Sequence, residues 1–137
     1  MKKELQDKLF NHYPKLFKDK DKSPKETLIC FGIECDDGWY WLINNLCKCI
    51  QTYIDNNKKV TQIKVVQVKE KFGELRFYTD YSDDFIDGII HFAEVLSNNI
   101  CEVCGENIHN ISKGHYDGWI KTICDSCYEK WANERKK

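Results

Sequence analysis

Cys101-Glu102-Val103-Cys104-Gly105 and Cys124-Asp125-Ser126-Cys127 contain two CxxC pairs separated by nineteen residues, and the use of their sulfurs decides how the C-terminal part of this chain folds. Two thiolates three positions apart at a tight turn can face one tetrahedral ion, and a second pair completes a closed S4 shell of the structural zinc type. Two disulfides, two redox dithiols or buried free thiols are the competing readings. No apolar run follows Lys2-Lys3, and no stretch of about eighteen apolar residues occurs. The chain therefore reads as soluble and cytosolic, with no membrane partner, and in that reducing setting metal ligation outranks disulfide pairing. One structural Zn2+ on Cys101, Cys104, Cys124 and Cys127 is the expected cofactor.

Working outward from the cysteines, Cys104-Gly105 looks like a zinc knuckle, residues 106–123 are long enough for a hairpin, and Cys124 to Lys136 reads as a short helix carrying the second ligand pair. That succession is treble-clef-like. So small a unit buries too little surface to fold alone, and metal binding should supply roughly 10 kcal/mol or more of its folding free energy. The expected organisation is an α+β body over residues 1–100 and a zinc-binding mini-domain over 101–137.

Within the body, Leu5, Leu9 and Phe10 recur at helical spacing until Tyr13-Pro14. Residues 18–25 are a charged connector, and Thr27 to Ile33 reads as a strand ending at the acidic turn Glu34-Cys35-Asp36-Asp37-Gly38. Asp36 or Asp37 is expected to cap the next helix, whose apolar side is Trp39, Leu42, Ile43, Leu46, Ile50, Tyr53 and Ile54. Val60 to Phe72 and Leu75 to Thr79 form a hairpin about Gly73. Ser82 or Asp83 opens a third helix with Ile86, Ile89, Ile90, Ala93, Leu96 and Ile100 inward. The order α-β-α-β-β-α predicts an α+β fold, a small antiparallel sheet packed by helices.

The chain has 137 residues, 42% of them hydrophobic, and a net charge of −1, a balance that argues against bulk phosphate binding as the main task. The charge is blocked, however: residues 58–79 carry six basic and two acidic side chains, and 80–100 none and five. Two surfaces follow as ligand-binding candidates. One is the acidic turn Glu34, Asp36 and Asp37 beside Trp39, Tyr40 and Trp41, three successive aromatics that cannot all point inward. The other is the hairpin, where Lys69, Lys71, Arg76 and Tyr78 share a face if Leu75 and Phe77 are buried; interleaved cations and an aromatic ring can bind phosphate and stack a base.

No catalytic residue is expected. Four cysteines leave no open coordination position, His109 and His115 lack a paired-histidine motif, and Glu34 and Asp37 have no recognisable nucleophile beside them. Cys30, Cys35, Cys47 and Cys49 fit no zinc template, since Cys47 and Cys49 diverge by about 200° on a helix; they read as buried or idle thiols.

Taken together, Tyr13-Pro14-x-Leu16-Phe17, Cys30-Phe31-Gly32-Ile33-Glu34-Cys35-Asp36-Asp37-Gly38-Trp39, Lys69-Glu70-Lys71-Phe72-Gly73-Glu74-Leu75-Arg76-Phe77-Tyr78, Cys101-Glu102-x-Cys104-Gly105 and Gly118-Trp119-Ile120-x-Thr122-x-Cys124 resemble a widespread group of small uncharacterised phage-encoded proteins. That resemblance spans nearly the whole chain. It implies a bacterial host cytoplasm during infection and an accessory role, with counter-defence as its purpose. Members of that group often carry a His near the last metal ligand; here Cys124 and Cys127 make the set all sulfur. The expected function is a non-enzymatic protein that binds a host protein or a nucleotide-like signal. A nucleic-acid-binding regulator using Lys121, Lys130, Arg135, Lys136 and Lys137 is the second reading, and a hydrolytic enzyme relying on Glu34 and Asp37 the third.

Overall fold

Apolar residues at helical and alternating spacing are realised as four helices and two small sheets in a computed structural model that describes residues 1–107, 112–116 and 119–136. In chain order the elements are α1 (Lys3–His12), β1 (Ile33–Glu34), α2 (Tyr40–Asp55), β2 (Val65–Lys71), β3 (Glu74–Thr79), α3 (Asp84–Ser97), β4 (Ser112–Tyr116), β5 (Trp119–Ile123) and α4 (Asp125–Arg135). Single 3-10 turns lie at Ile29–Phe31 and Asp37–Trp39. The class is α+β. No helix among the described residues is long and apolar enough to cross a membrane.

The larger sheet, in order β1-β2-β3, is mixed where an antiparallel one was expected. β1 runs parallel to β2, pairing Ile33 with Val68 and Glu34 with Lys69, because the connection between them contains α2, and a helix-length crossover returns the chain in the same direction. The run from Thr27 is mostly not strand. Phe31 N–H bonds to Leu28 O and Gly32 N–H to Ile29 O at 2.8 Å, so local turn bonds displace ladder bonds until Ile33. β2 and β3 are antiparallel, with Val68 opposite Phe77 and Lys69 opposite Arg76. Their two-residue turn, Phe72-Gly73, has φ of 52° and 79°, the mirror-image geometry that suits the twist of paired strands.

The free edge of β3 is closed by α3: Leu75 N–H donates to Ser97 Oγ at 3.0 Å and Phe77 N–H to Glu94 Oε2 at 3.2 Å. Covering an edge in this way removes a template for unwanted strand pairing. At the other end of α3, Asp83 is the cap, its carboxylate accepting Ile86 N–H at 2.8 Å and the Tyr53 hydroxyl at 2.6 Å. That helix ends at Ser97, leaving Ile100 outside it in a bridge to Asn107.

One core joins α1, α2, α3 and the inner sheet face. Leu9, Leu16, Phe17, Ile29, Trp39, Ile43, Ile50, Ile63, Val65, Val68, Leu75 and Ile86 are at most 1% exposed within it. Each such side chain contributes about 1.5–3 kcal/mol of transfer free energy. A second, smaller cluster gathers Cys101, Ile123 and Cys124, with Tyr128 and Trp131 packed against it.

Candidate metal centre

The first cysteine pair is shaped by backbone bonds. Cys101 N–H donates to Glu106 O and Gly105 N–H to Cys101 O, both at 2.9 Å, and Gly105 takes φ 82°. The resulting tight turn presents Cys101 and Cys104 together. The second pair is delivered by β5, which ends at Ile123 and hands Cys124 to the start of α4. Cys124 caps that helix with its sulfur, accepting Cys127 N–H at 3.4 Å, so Cys127 sits in the first helical turn.

All four sulfurs lie within 4.8 Å of one another, and Cys104 Sγ is 3.8 Å from Cys124 Sγ. A tetrahedron built on Zn–S bonds of about 2.3 Å has edges of about 3.8 Å, so the donor set has the size as well as the chemistry of a metal shell. All eight cysteines are free. Burial acts to raise the Cys101 thiol, but N–H donation from Cys104, Cys124 and Val103 outweighs it and holds the group below the ordinary cysteine value. Burial first, and then the neighbouring sulfurs, raise Cys104 and Cys127. Four thiolates at this spacing ionise together only with a cation among them. Among the described residues this is the group of histidine, cysteine and acidic side chains that can hold a metal.

The cysteine turn is bonded to the acidic turn of the body. Gly38 N–H donates to Glu102 O at 2.7 Å, and a Cβ on Gly38 would overlap the carbonyl oxygens of Cys101 and Glu102, so only glycine permits this backbone approach. Asp36 N–H donates to Glu102 Oε2 at 2.9 Å, and Trp39 Nε1 to Ile100 O at 2.9 Å. Glu102 N–H donates to Thr122 O at 2.9 Å, while the Thr122 hydroxyl donates to Gly73 O at 2.5 Å, tying β5 to the β2–β3 turn.

Lys121 completes the junction, paired with Asp36 and lying 3.6 Å from Glu102. Burial works against its charge, but Asp36 and then Glu102 outweigh it and raise its pKa. The Glu102 carboxyl is also raised, by burial first, against the opposing pull of Lys121 and Asp36 N–H. Lys121 is thus held between Asp36 and Glu102, and Glu102 keeps its Oε1 buried and unpartnered.

These contacts redistribute the first ligand surface. Neither Asp36 nor Asp37 caps α2, whose start has no side-chain cap; Asp36 serves Lys121, and Asp37 accepts Lys2 N–H at 2.7 Å. Trp39 is wholly buried, so it belongs to the core and not to a binding face. Tyr40 is half-buried against the core, whereas Trp41 is 67% exposed and lies in a groove between α2 and α3. Asp36 and Asp37 instead line a cleft of about 670 Å3 beside the cysteines, together with Lys2, Val103, Cys104, Lys121, Cys127, Lys130, Trp131 and Glu134.

The second surface stays together on the sheet. Lys69 is opposite Arg76, Gln67 opposite Tyr78, and Lys71 opposite Glu74, with Glu34 next to Lys69 on β1. Arg76 is engaged by Glu74 at 2.6 Å, which raises its pKa. Lys71 lies over the Phe72 ring at 6.0 Å.

Cys35 and Cys47 are buried, and burial pushes both thiols up; Cys30 is half-buried and Cys49 exposed. His109 lies outside the described residues, and His115 falls in β4, opposite Ile120. Trp131 packs on the cysteine cluster rather than on the main core. Sequence reading missed Gly38, Glu102, Lys121 and Thr122 as junction residues. The available signals were a glycine after two aspartates and an acidic residue between two ligand cysteines. Compared with protein-family models, with curated proteins and with solved structures, the chain matches none of them.

Proposed function

We propose that the chain is a non-enzymatic binding protein in which Cys101, Cys104, Cys124 and Cys127 hold one structural Zn2+ in a treble-clef-like unit. The observation that carries this reading is the sulfur cluster itself: four thiols close enough to close a tetrahedral shell, which leaves no position for water or substrate. When bound, the ion supplies cross-linking of the two CxxC turns. The chain's own residues then form the cleft, since its walls come from the acidic turn on one side and α4 on the other.

The ligand class we assign is a host protein or a nucleotide-like signal. Lys2 and Lys130 supply cations to the cleft and Trp131 an aromatic face, while Lys69 and Lys71 supply cations on the sheet. A bacterial host cytoplasm and a counter-defence purpose follow from the resemblance to small phage-encoded proteins. A nucleic-acid role draws less support, because Lys121 is committed to Asp36 and Glu102 inside the fold.

Recovery of the metal-loaded protein from infected cells, with mass spectrometry of co-purifying proteins and small molecules, tests this. A host protein or nucleotide that is retained, and weakened by Lys130→Ala, is the expected result. Recovery of nucleic acid alone, with a steep salt dependence of its binding, would overturn it.

A further inference from the structure

The four clustered sulfurs are not equally open. Cys101 and Cys124 are 0% and 5% exposed, whereas Cys104 is exposed and Cys127 half-buried. Cys104 and Cys127 line the cleft of about 670 Å3 between the acidic turn and α4. Cys101 is sealed in the fold, its sulfur accepting Cys124 N–H at 3.3 Å. One side of the shell therefore meets an open space wide enough for a small molecule, and the other is closed by protein.

We propose that Cys104 is an oxidation site for hydrogen peroxide and that Cys124 resolves it, so that a disulfide between the two CxxC turns takes the place of the zinc. The inference rests on the reading of the cluster as a zinc site. Metal ligation keeps the sulfurs as thiolates, the form that attacks a peroxide, and exposure decides which of them the oxidant reaches. Cys104 is that sulfur.

The Cys104 sulfur attacks one peroxide oxygen: an S–O bond forms, the O–O bond breaks, and the departing hydroxide takes a proton from solvent and leaves as water. The product is a sulfenic acid, which condenses with a neighbouring thiolate. Cys124 Sγ lies 3.8 Å away. Its attack on the Cys104 sulfur forms the S–S bond and breaks the S–O bond, and the hydroxide released takes a second proton and leaves as water. Two electrons pass from the two thiolates to the peroxide, and two protons are consumed. Zinc is left with Cys101 and Cys127, half of its shell, and is released. The new bond joins the same two turns that the ion joined, so α4 stays tied to the cysteine turn while the metal leaves.

Peroxide treatment of the full chain tests this. Zinc is counted first; peroxide is then added with a chromophoric chelator, sulfenic acid is trapped with dimedone, and disulfides are mapped in unreduced peptides by mass spectrometry. The expected result is loss of one zinc per chain in step with a Cys104–Cys124 disulfide, dimedone on Cys104 before any other cysteine, and recovery of thiols and metal with a dithiol reductant and added zinc. Cys49→Ser, which removes an exposed thiol outside the cluster, should leave the rate of release unchanged. Zinc retained under peroxide, a first sulfenic acid at Cys127, a first disulfide within one CxxC pair, or release slowed by Cys49→Ser would overturn the inference and leave the zinc reading standing. Protein that carries no zinc before peroxide is added would overturn both.

Discussion

Gly38 and Glu102 meet backbone to backbone, the glycine N–H donating to the glutamate carbonyl at 2.7 Å with no room for a Cβ between the turns. The acidic turn is thus a receptor for the cysteine turn within the same molecule. Gly38→Ala is expected to cost about 2–4 kcal/mol, the range of severe packing faults, and to speed metal release to a chromophoric chelator. Unchanged melting temperature and unchanged release would show that the two turns do not depend on each other.

Removing the metal should have a graded consequence. Sulfurs that cap and bridge the tail lose their common cation, and a tail with few buried apolar residues of its own has little else to order it. Chelation, or Cys104→Ser, is expected to abolish amide protection in β5 and α4 in hydrogen-exchange measurements. β2, β3 and α2, which share the main core, should stay protected. Equal loss across the chain would mean that the core also requires the ion.

The turn between β2 and β3 offers a stabilising change. Phe72 adopts φ 52° while 68% exposed, and a bulky side chain in the left-handed region costs about 1 kcal/mol or more relative to asparagine or glycine. Phe72→Asn should raise the unfolding free energy by roughly 0.5–1 kcal/mol in urea titration. A decrease would reveal a packing role for the ring.

Asp83 makes stability depend on acid. N–H donation from Ile86 and then the Tyr53 hydroxyl hold its carboxyl below the ordinary aspartate value. A depressed carboxylate contributes fully above its unfolded pKa, and the contribution disappears as pH falls through the lower folded value. Asp83→Asn, which keeps a capping oxygen, should flatten this part of the acid limb in melts taken from pH 6 downward. A limb of unchanged steepness would assign it to other carboxylates.

The edge of β3 provides a fifth check. Ser97 is wholly buried and its hydroxyl accepts Leu75 N–H, so Ser97→Ala leaves a buried donor without a partner, at a cost of about 1–3 kcal/mol. Chemical denaturation reads this directly; a change within error would mean that water replaces the hydroxyl.

The sequence was most legible where one period dominates. Leu42, Ile43, Leu46, Ile50 and Ile54 define α2, and Leu75 and Phe77 point inward as alternation requires. The cysteine spacing brings four sulfurs together as tetrahedral chemistry demands. What escaped was long-range: Asp36 and Asp37 have the residue type of helix caps, but their partners, Lys121 and Lys2, are set by how the tail docks. Three successive aromatics could not all point inward, but which of them is buried was not legible at Trp39, because its partner, the Ile100 carbonyl, is sixty-one residues away. The parallel pairing of β1 was hidden for the same reason, since two residues of strand carry no periodicity.

Zinc-edge X-ray absorption on the purified protein, with metal content measured on the same sample, addresses the tetrathiolate directly. We expect one zinc per chain with four sulfur neighbours at about 2.3 Å. Protein free of stoichiometric metal, or a shell containing nitrogen or oxygen in place of any of the four sulfurs, would contradict it.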